Sequence, residues 1–576
     1  MRKWECAFAA QREKTTLADE FERPWYNFWP EEVPKNIVYP KISIADLLTR
    51  SADRHSSRAA LIYFENEITY KELDLLSDKF ATALVDLGVR KGDRVALFLP
   101  NIPSFIIAFY GTVRSGAMVT AINSMSKERE VEHQLCDSGA ETIVVLDLFY
   151  PIVSNILEKT RLKRVIITSL RDYMSTTKAV LGTILRKIPS HRTERKPNVF
   201  RFTDLINKHE ASPPALNIDP YEDVAVLQYT GGTTGTPKAA MLTHMNLVSN
   251  TLMCVEWLGV DHHAACLSIL PLFHIYGLMS GLNAPICMGA KTVLLPQFHP
   301  KQVLQTIQRH KITLFCGVPT LYAKLLSYPD LEKYDCSSLQ FCISGADSLP
   351  AEVQKDFMKR VGGVLVEGYG LSEASPVTHC NPVHLSPEKW KKGSIGIPWP
   401  DTDAKIVDKE TGETVLECGQ IGELVVKGPQ VMKGYWNMPD ETASILRDGW
   451  LYTGDLGKMD EDGYFYIINR KKDLIKYRGF SVYPQELETV LYEHPGIKLC
   501  SVVGIPHPID GEIPKAFVVL KEGAIAAEKE LMNFVNDRVA SYKAIQEVEF
   551  RTDLPTTITG KILKRELRKT AQDIGT

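Results

Sequence analysis

Strand-like apolar runs and amphipathic stretches alternate through most of the chain. "RVALFLP" (Arg94–Pro100) reads as a buried strand, and a helix-like segment follows from Ser104. "ETIVVL" (Glu141–Leu146), "RVIITS" (Arg164–Ser169), "KTVLLP" (Lys291–Pro296) and "ITLFCGVP" (Ile312–Pro319) repeat that rhythm. Continuous Val/Ile/Leu runs separated by helices predict parallel sheets covered on both faces. From about Asp403 the texture changes to short strands and turns, "DAKIVD", "GELVVKG" and "GYFYII", which predicts a β-rich subdomain. The charged, glycine-punctuated stretch Asn469–Glu488 reads as a junction. About a hundred residues follow, with strand and helix patterns of their own, enough for a small second domain.

Composition narrows the class. The 576 residues are 44% hydrophobic and 24% charged with a formal net charge of -3, which is globular and near neutral. That balance argues against nucleic-acid binding, which needs a basic face. Eleven cysteines stand singly without a CxxC pair, the pattern of reduced thiols in a cytoplasmic protein and not of a disulfide framework or zinc site. The first twenty residues lack the apolar core of a signal peptide. The longest spanning candidate, Val95–Val113, is broken by Pro100, Asn101, Pro103 and Ser104, so no membrane crossing is expected. The segment 177–196, "TKAVLGTILRKIPSHRTERK", is apolar and then basic. It fits a solvated surface insertion first, and a peripheral contact with an anionic membrane second.

Candidate chemistry sits in four strings. "YTGGTTGTPKAAMLTH" (Tyr229–His244) is built to hold phosphate, although it matches neither the Walker loop nor the dinucleotide fingerprint. Gly231, Gly232 and Gly235 let the backbone approach an anion, Thr230, Thr233, Thr234 and Thr236 add hydroxyls, and Lys238 adds charge. In "VEGYGLSEASPV", Tyr369 between two glycines has room to lie against a flat base, and Ser372 with Glu373 suits a hard cation. Asp455, in what reads as a tight Thr-Gly-Asp turn, offers both carboxylate oxygens to a ribose diol, and Arg470 ends the next strand. "LPTTITGKILKREL" places Lys561 after a glycine near the C-terminus. Each residue alone has a plainer reading: a turn Asp, a solvated Glu or Lys.

Taken in order, "YTGGTTGTPK", "LPLFHIYG", "EGYGLSE", "YTGDLG", "NRKKDLIKYRGF" and "LPTTITGK" resemble the core motifs of the adenylate-forming superfamily, and further details resemble its long-chain fatty acyl-CoA ligase branch. The resemblance covers nearly the whole chain. It implies an α/β fold: a large N-terminal domain of stacked α/β subdomains plus a β-rich subdomain (1–470), and a small mobile α+β C-terminal domain (471–576). It implies ATP, Mg²⁺ and coenzyme A as cofactor and co-substrates. A carboxylate attacks the α-phosphate to give acyl-AMP and pyrophosphate, and the CoA thiol then displaces AMP.

Residue by residue, the resemblance assigns Thr230, Gly231, Gly232, Thr233, Thr234, Gly235, Thr236 and Lys238 to the departing phosphates. Tyr369 packs on adenine near Gly345 and Ala346, and Glu367, Gly368, Gly370 and Ser372 belong to the same ATP/AMP-binding set. Glu373 takes Mg²⁺, and Asp455 and Arg470 take the ribose. His274 sits at the carboxylate end of the acyl pocket, or is a satisfied structural histidine. Lys561 reaches the α-phosphate, Lys472 is the hinge, and Lys476, Arg478 and Gly479 line the CoA channel. A medium-chain or aryl (coumarate-like) ligase, or another adenylate-forming enzyme, is the alternative, and a homodimer is left open.

Overall fold

Apolar runs between glycine and proline punctuation pair into four sheets among the described residues, and the chain enters them out of sequence order. The computed structural model of the protein describes residues 22–175, 188–191, 196–230, 237–385, 390–478, 480–507, 509–556 and 562–573.

A nine-stranded sheet has a parallel middle: Val364–Gly370, Phe341–Ser344, Leu314–Gly317, Ala265–Ser268, Lys291–Leu294 and Ala59–Tyr63. An eight-stranded sheet runs parallel through Val224–Thr230, Met118–Ala121, Arg94–Phe98, Thr142–Leu146, Arg164–Thr168 and Val199–Arg201. It is finished by two antiparallel strands, Lys238–Thr243 and Gly434–Tyr435. These are the parallel, doubly covered sheets expected from the apolar runs.

Helices Pro103–Arg114 and His244–Leu258 are wedged between layers and buried almost all round, eleven of 12 and thirteen of 15 residues respectively. Their apolar girth reflects burial in protein. Among the described residues no helix is long and apolar enough to cross a membrane.

The expected β-rich part is an antiparallel sheet of Asp403–Val407, Gly422–Lys427, Trp450–Met459, Leu446–Arg447 and Phe465–Arg470. The fourth sheet draws only on residues from Ile475 onward. It carries a core of its own, in which Ile475, Leu487, Val502, Ala516, Val518 and Leu531 are fully buried. Separate cores make this a large N-terminal and a small C-terminal domain. The ten cysteines among the described residues are all unpaired.

Candidate active site

The phosphate-loop string begins and ends in paired strands. Thr230 lies opposite Lys238 in the antiparallel pair, and the Thr230 hydroxyl donates to the Lys238 carbonyl at 3.3 Å. Gly231, Gly232, Thr233, Thr234, Gly235 and Thr236 lie outside the described residues, between two strand ends held together. The Lys238 ammonium is ion-paired with Glu441 and stands 5.4 Å from the centre of the Tyr435 ring.

Asp455 is not in a turn, contrary to the sequence reading. It lies within the strand Trp450–Met459, opposite Arg470 on Phe465–Arg470. Gly454 adopts φ +72° where the register with Gly422–Lys427 shifts, a bulge that re-aims the strand beside the site. Nor are the carboxylate oxygens both free. The Tyr369 hydroxyl donates to Oδ2 at 2.6 Å, and the Arg470 Nε stands 3.2 Å from Oδ1. Each oxygen keeps a second lone-pair direction, so the pairings orient the acceptor without using it up.

The glycines around Tyr369 also have a different cause from the one expected. A Cβ on Gly370 would meet the Pro376 carbonyl at 2.1 Å, so close backbone approach requires that glycine. A Cβ on Gly368 would meet Ile343 at 3.2 Å, and one on Gly345 would meet the Tyr276 ring at 3.1 Å. Ala346 sits at φ +69°, an uncommon backbone for a residue with a side chain.

Ser372 and Glu373 open a single helical turn, Ser372–Ala374. Glu373 is not simply solvated: Oε1 accepts the Tyr435 hydroxyl at 2.7 Å, and the Glu373 carbonyl accepts the Met432 amide at 2.8 Å. Among the described residues Oε2 accepts no hydrogen bond. A carboxylate with one oxygen tethered, on a residue that lines a cavity, fits a hard cation such as Mg²⁺, which takes one or two carboxylates together with phosphate oxygens.

Burial pushes the Glu367 carboxyl up from its ordinary 4.5 to about 8, against the Leu349 amide that donates to it at 3.2 Å. The folded protein therefore keeps this proton up to about pH 8, whereas the unfolded chain releases it near 4.5. Stability from this group is present at acid pH and is lost as pH rises from about 5 to 8, by about 3–4 kcal/mol. Glu367→Gln should flatten that slope in thermal unfolding followed from pH 5.5 to 8, and an unchanged slope would contradict the neutral carboxyl.

His274 has a structural duty of the kind considered from the sequence. Its Nδ1 accepts the Tyr276 amide at 3.2 Å and caps the helical turn Ile275–Leu278. It also borders a cavity of about 1150 Å³, which Lys238, Gly345, Ala346, Gly368–Glu373, Asp455 and Arg470 line as well. The structure thus brings together every described residue expected to hold nucleotide except Glu367, which precedes the lining residue Gly368 but does not itself line the cavity. At its apolar end the cavity reaches Cys254, Met279, Ser280, Cys316 and Ile343. A void of about 10 Å³ lies beyond, among Leu258, Met288, Leu314 and Phe341.

The remaining predicted residues lie at or beyond the junction. Lys476 and Arg478 are exposed, and Arg478 pairs with Asp510 at 2.6 Å. Gly479 and Lys561 lie outside the described residues, as does the Lys472 side chain. Tyr435, Glu441 and Glu423 were not picked out from the sequence. In "KGYWNMPDETAS" only the Gly-Tyr pair before a proline stands out locally, and it carries no hint of a partner 62 positions away.

Comparison with known proteins bears on this geometry. Residues 48–436 match the family described as "AMP-binding enzyme", and 486–561 match "AMP-binding enzyme C-terminal domain". The chain is 45% identical over 552 residues to the "Long-chain-fatty-acid--CoA ligase" of Bacillus subtilis (strain 168), covering 95% of this chain and 98% of that one. It is 37% identical over 565 residues to the protein of the same name from Escherichia coli O6:H1, covering 96% and 99%. Among solved structures, ATP-bound MatB from Rhodopseudomonas palustris superposes with a TM-score of 0.82 at 30% identity, over 93% of this chain and 100% of that one. Matches of this extent concern the whole architecture and not a local motif: the chain belongs to the AMP-binding enzyme family, the adenylate-forming superfamily.

Proposed function

We propose that the protein is an ATP-dependent fatty acid–CoA ligase that activates a long-chain carboxylate as acyl-AMP, releases pyrophosphate, and passes the acyl group to coenzyme A. One observation carries this reading: the Asp455 carboxylate, oriented by Tyr369 and Arg470, borders the same cavity as Lys238 and Glu373. A diol acceptor, a phosphate-side cation and a metal-type carboxylate around one space are what activation by ATP requires. The apolar arm toward Cys254 and Met279 supports an aliphatic acyl group, and the names of the two ligases reported above support long chains.

Within this reading Asp455 accepts from the ribose hydroxyls, and Arg470 holds that carboxylate in place. Lys238 leaves Glu441 for the β- and γ-phosphates. Glu373 holds Mg²⁺, which neutralises phosphate charge when bound. Attack at phosphorus builds charge on the phosphoryl oxygens, and Lys561 is the group assigned to it. His274 keeps its ring against the acyl-carboxylate end by capping the adjoining turn.

The division at 470/471, with Lys472 as hinge, has a structural argument behind it. Lys471 is tied to Glu423 of the large domain at 3.0 Å, and Asp473 is tied to Arg568 of the C-terminal helix at 2.9 Å. Lys472 is the one residue between two anchors on opposite bodies, a geometry suited to a hinge. Gly479, with Lys476 and Arg478, would face the pantetheine arm after rotation. The reduced thiols support a cytoplasmic location. The segment 177–196, mostly outside the described residues, is the candidate for peripheral contact with an anionic membrane.

The test is direct. Purified protein with ATP, Mg²⁺ and saturated fatty acids should release pyrophosphate, and CoA-dependent AMP release should peak at long chains. No pyrophosphate would end the ligase reading. A maximum at acetate or at coumarate-like acids would end the long-chain assignment alone.

A further inference from the structure

The Tyr435 side chain joins two groups that approach the phosphate end of the cavity from different segments. Its backbone is fixed first. Gly434–Tyr435 pairs antiparallel with Lys238–Thr243, Tyr435 opposite Ala240, so the ring rides on the strand that begins with the loop lysine. The Tyr435 amide donates to the Thr442 hydroxyl at 2.8 Å. Upstream, the Asn246 side-chain amide donates to the Pro429 and Val431 carbonyls, each at 2.8 Å. Asn246 is itself held in a reciprocal cap with Thr243, at the far end of the same strand. Tyr435 as a whole is 8% exposed, so the phenol has little freedom to turn away.

From that position the hydroxyl donates to Glu373 Oε1 at 2.7 Å, and the Lys238 ammonium stands 5.4 Å from the ring centre. A terminal carboxylate torsion is broad and roughly two-fold, so an untethered Glu373 would sample many orientations. With Oε1 tethered, Oε2 has a defined direction.

We infer that Tyr435 is a positioning residue for the divalent cation: it holds the Glu373 carboxylate in the orientation that receives the metal, and it couples that orientation to the strand carrying Lys238. The inference rests on the proposed role of Glu373.

The experiment compares wild type, Tyr435→Phe, Tyr435→His and Glu373→Gln as full-length protein. Mn²⁺ affinity is read by electron paramagnetic resonance in the presence of a non-hydrolysable ATP analogue, and Mg²⁺ half-saturation and KM values are read in the pyrophosphate assay. Loss of an outer-shell partner typically costs 10–100-fold in metal affinity. Tyr435→Phe should therefore bind Mn²⁺ about tenfold more weakly or worse and need correspondingly more Mg²⁺, with the fatty-acid KM unchanged. Tyr435→His, which keeps a ring and an N–H donor, should recover part of the affinity. A merely structural role would lower the unfolding temperature while leaving Mn²⁺ affinity at the wild-type value, and that result would overturn the inference. If Glu373→Gln weakens Mn²⁺ binding and Tyr435→Phe does not, the inference fails and the metal assignment stands. If Glu373→Gln itself binds Mn²⁺ like wild type, the metal assignment fails as well.

Discussion

Asp455→Ala should lower kcat/KM for ATP by about two to three orders of magnitude. Hydrogen bonds to a charged acceptor contribute about 1.5–3 kcal/mol each. The reading gives Asp455 two of them with the ribose, and each 1.36 kcal/mol is about tenfold in rate. Two such bonds are worth about 3–6 kcal/mol, and the lower half of that range is a fall of about two to three orders. The change also removes the acceptor of the Tyr369 hydroxyl and the partner of Arg470, so the two groups that shape the pocket wall lose their common anchor. Asp455→Asn keeps the shape and one acceptor oxygen and should fall in between. Steady-state kinetics with varied ATP checks this, and the fatty-acid KM serves as the internal control. A fall of less than tenfold in the Ala variant, with the protein folded, would remove the ribose assignment.

Lys561→Ala should abolish pyrophosphate release from ATP and fatty acid while sparing transfer of a supplied acyl-adenylate to CoA. Removing one preorganised electrostatic group from an acyl- or phosphoryl-type transition state costs about 10²–10³ in rate. On the proposed reading, the selectivity between half-reactions would come from the junction, where Lys471 is anchored on Glu423 and Asp473 on Arg568, with a single residue between. A lysine carried by the small body would be needed when that body delivers it to the α-phosphate, and dispensable once the thiol must enter. Two assays on one preparation decide it. Equal loss in both halves would contradict the assigned role, whereas loss confined to the first would support both the lysine and the hinge.

Much of the fold was legible because its signals are local. The runs at 94–100, 141–146, 164–169, 291–296 and 312–319 each contain a parallel strand of the two large sheets. The β-rich texture after Asp403 is the antiparallel sheet that carries Asp455 and Arg470. At the site, residue types announced their chemistry, yet two physical reasons read from the sequence were incorrect. Asp455 looked like a turn residue because Thr-Gly-Asp is turn-forming in isolation, whereas Gly454 here makes a bulge inside a ten-residue strand. Gly370 looked like space for a base, whereas the Pro376 carbonyl already fills the place of its Cβ. In both cases the deciding contact comes from a neighbouring strand or segment that local pattern does not encode.

The sequence by itself determined the classes of element, the order of the motifs and the chemistry each motif can offer, because side-chain periodicity and loop composition act over a few residues. Only the tertiary structure decided which groups meet. Tyr369 reaches Asp455 across 86 positions, Tyr435 reaches Glu373 across 62, and Lys238 finds Glu441 across 203. Those distances are closed by strand order and register, and register depends on how whole sheets pack. That is why Tyr435, unremarked in the chain, becomes the side chain that ties the strand beginning at Lys238 to the Glu373 carboxylate.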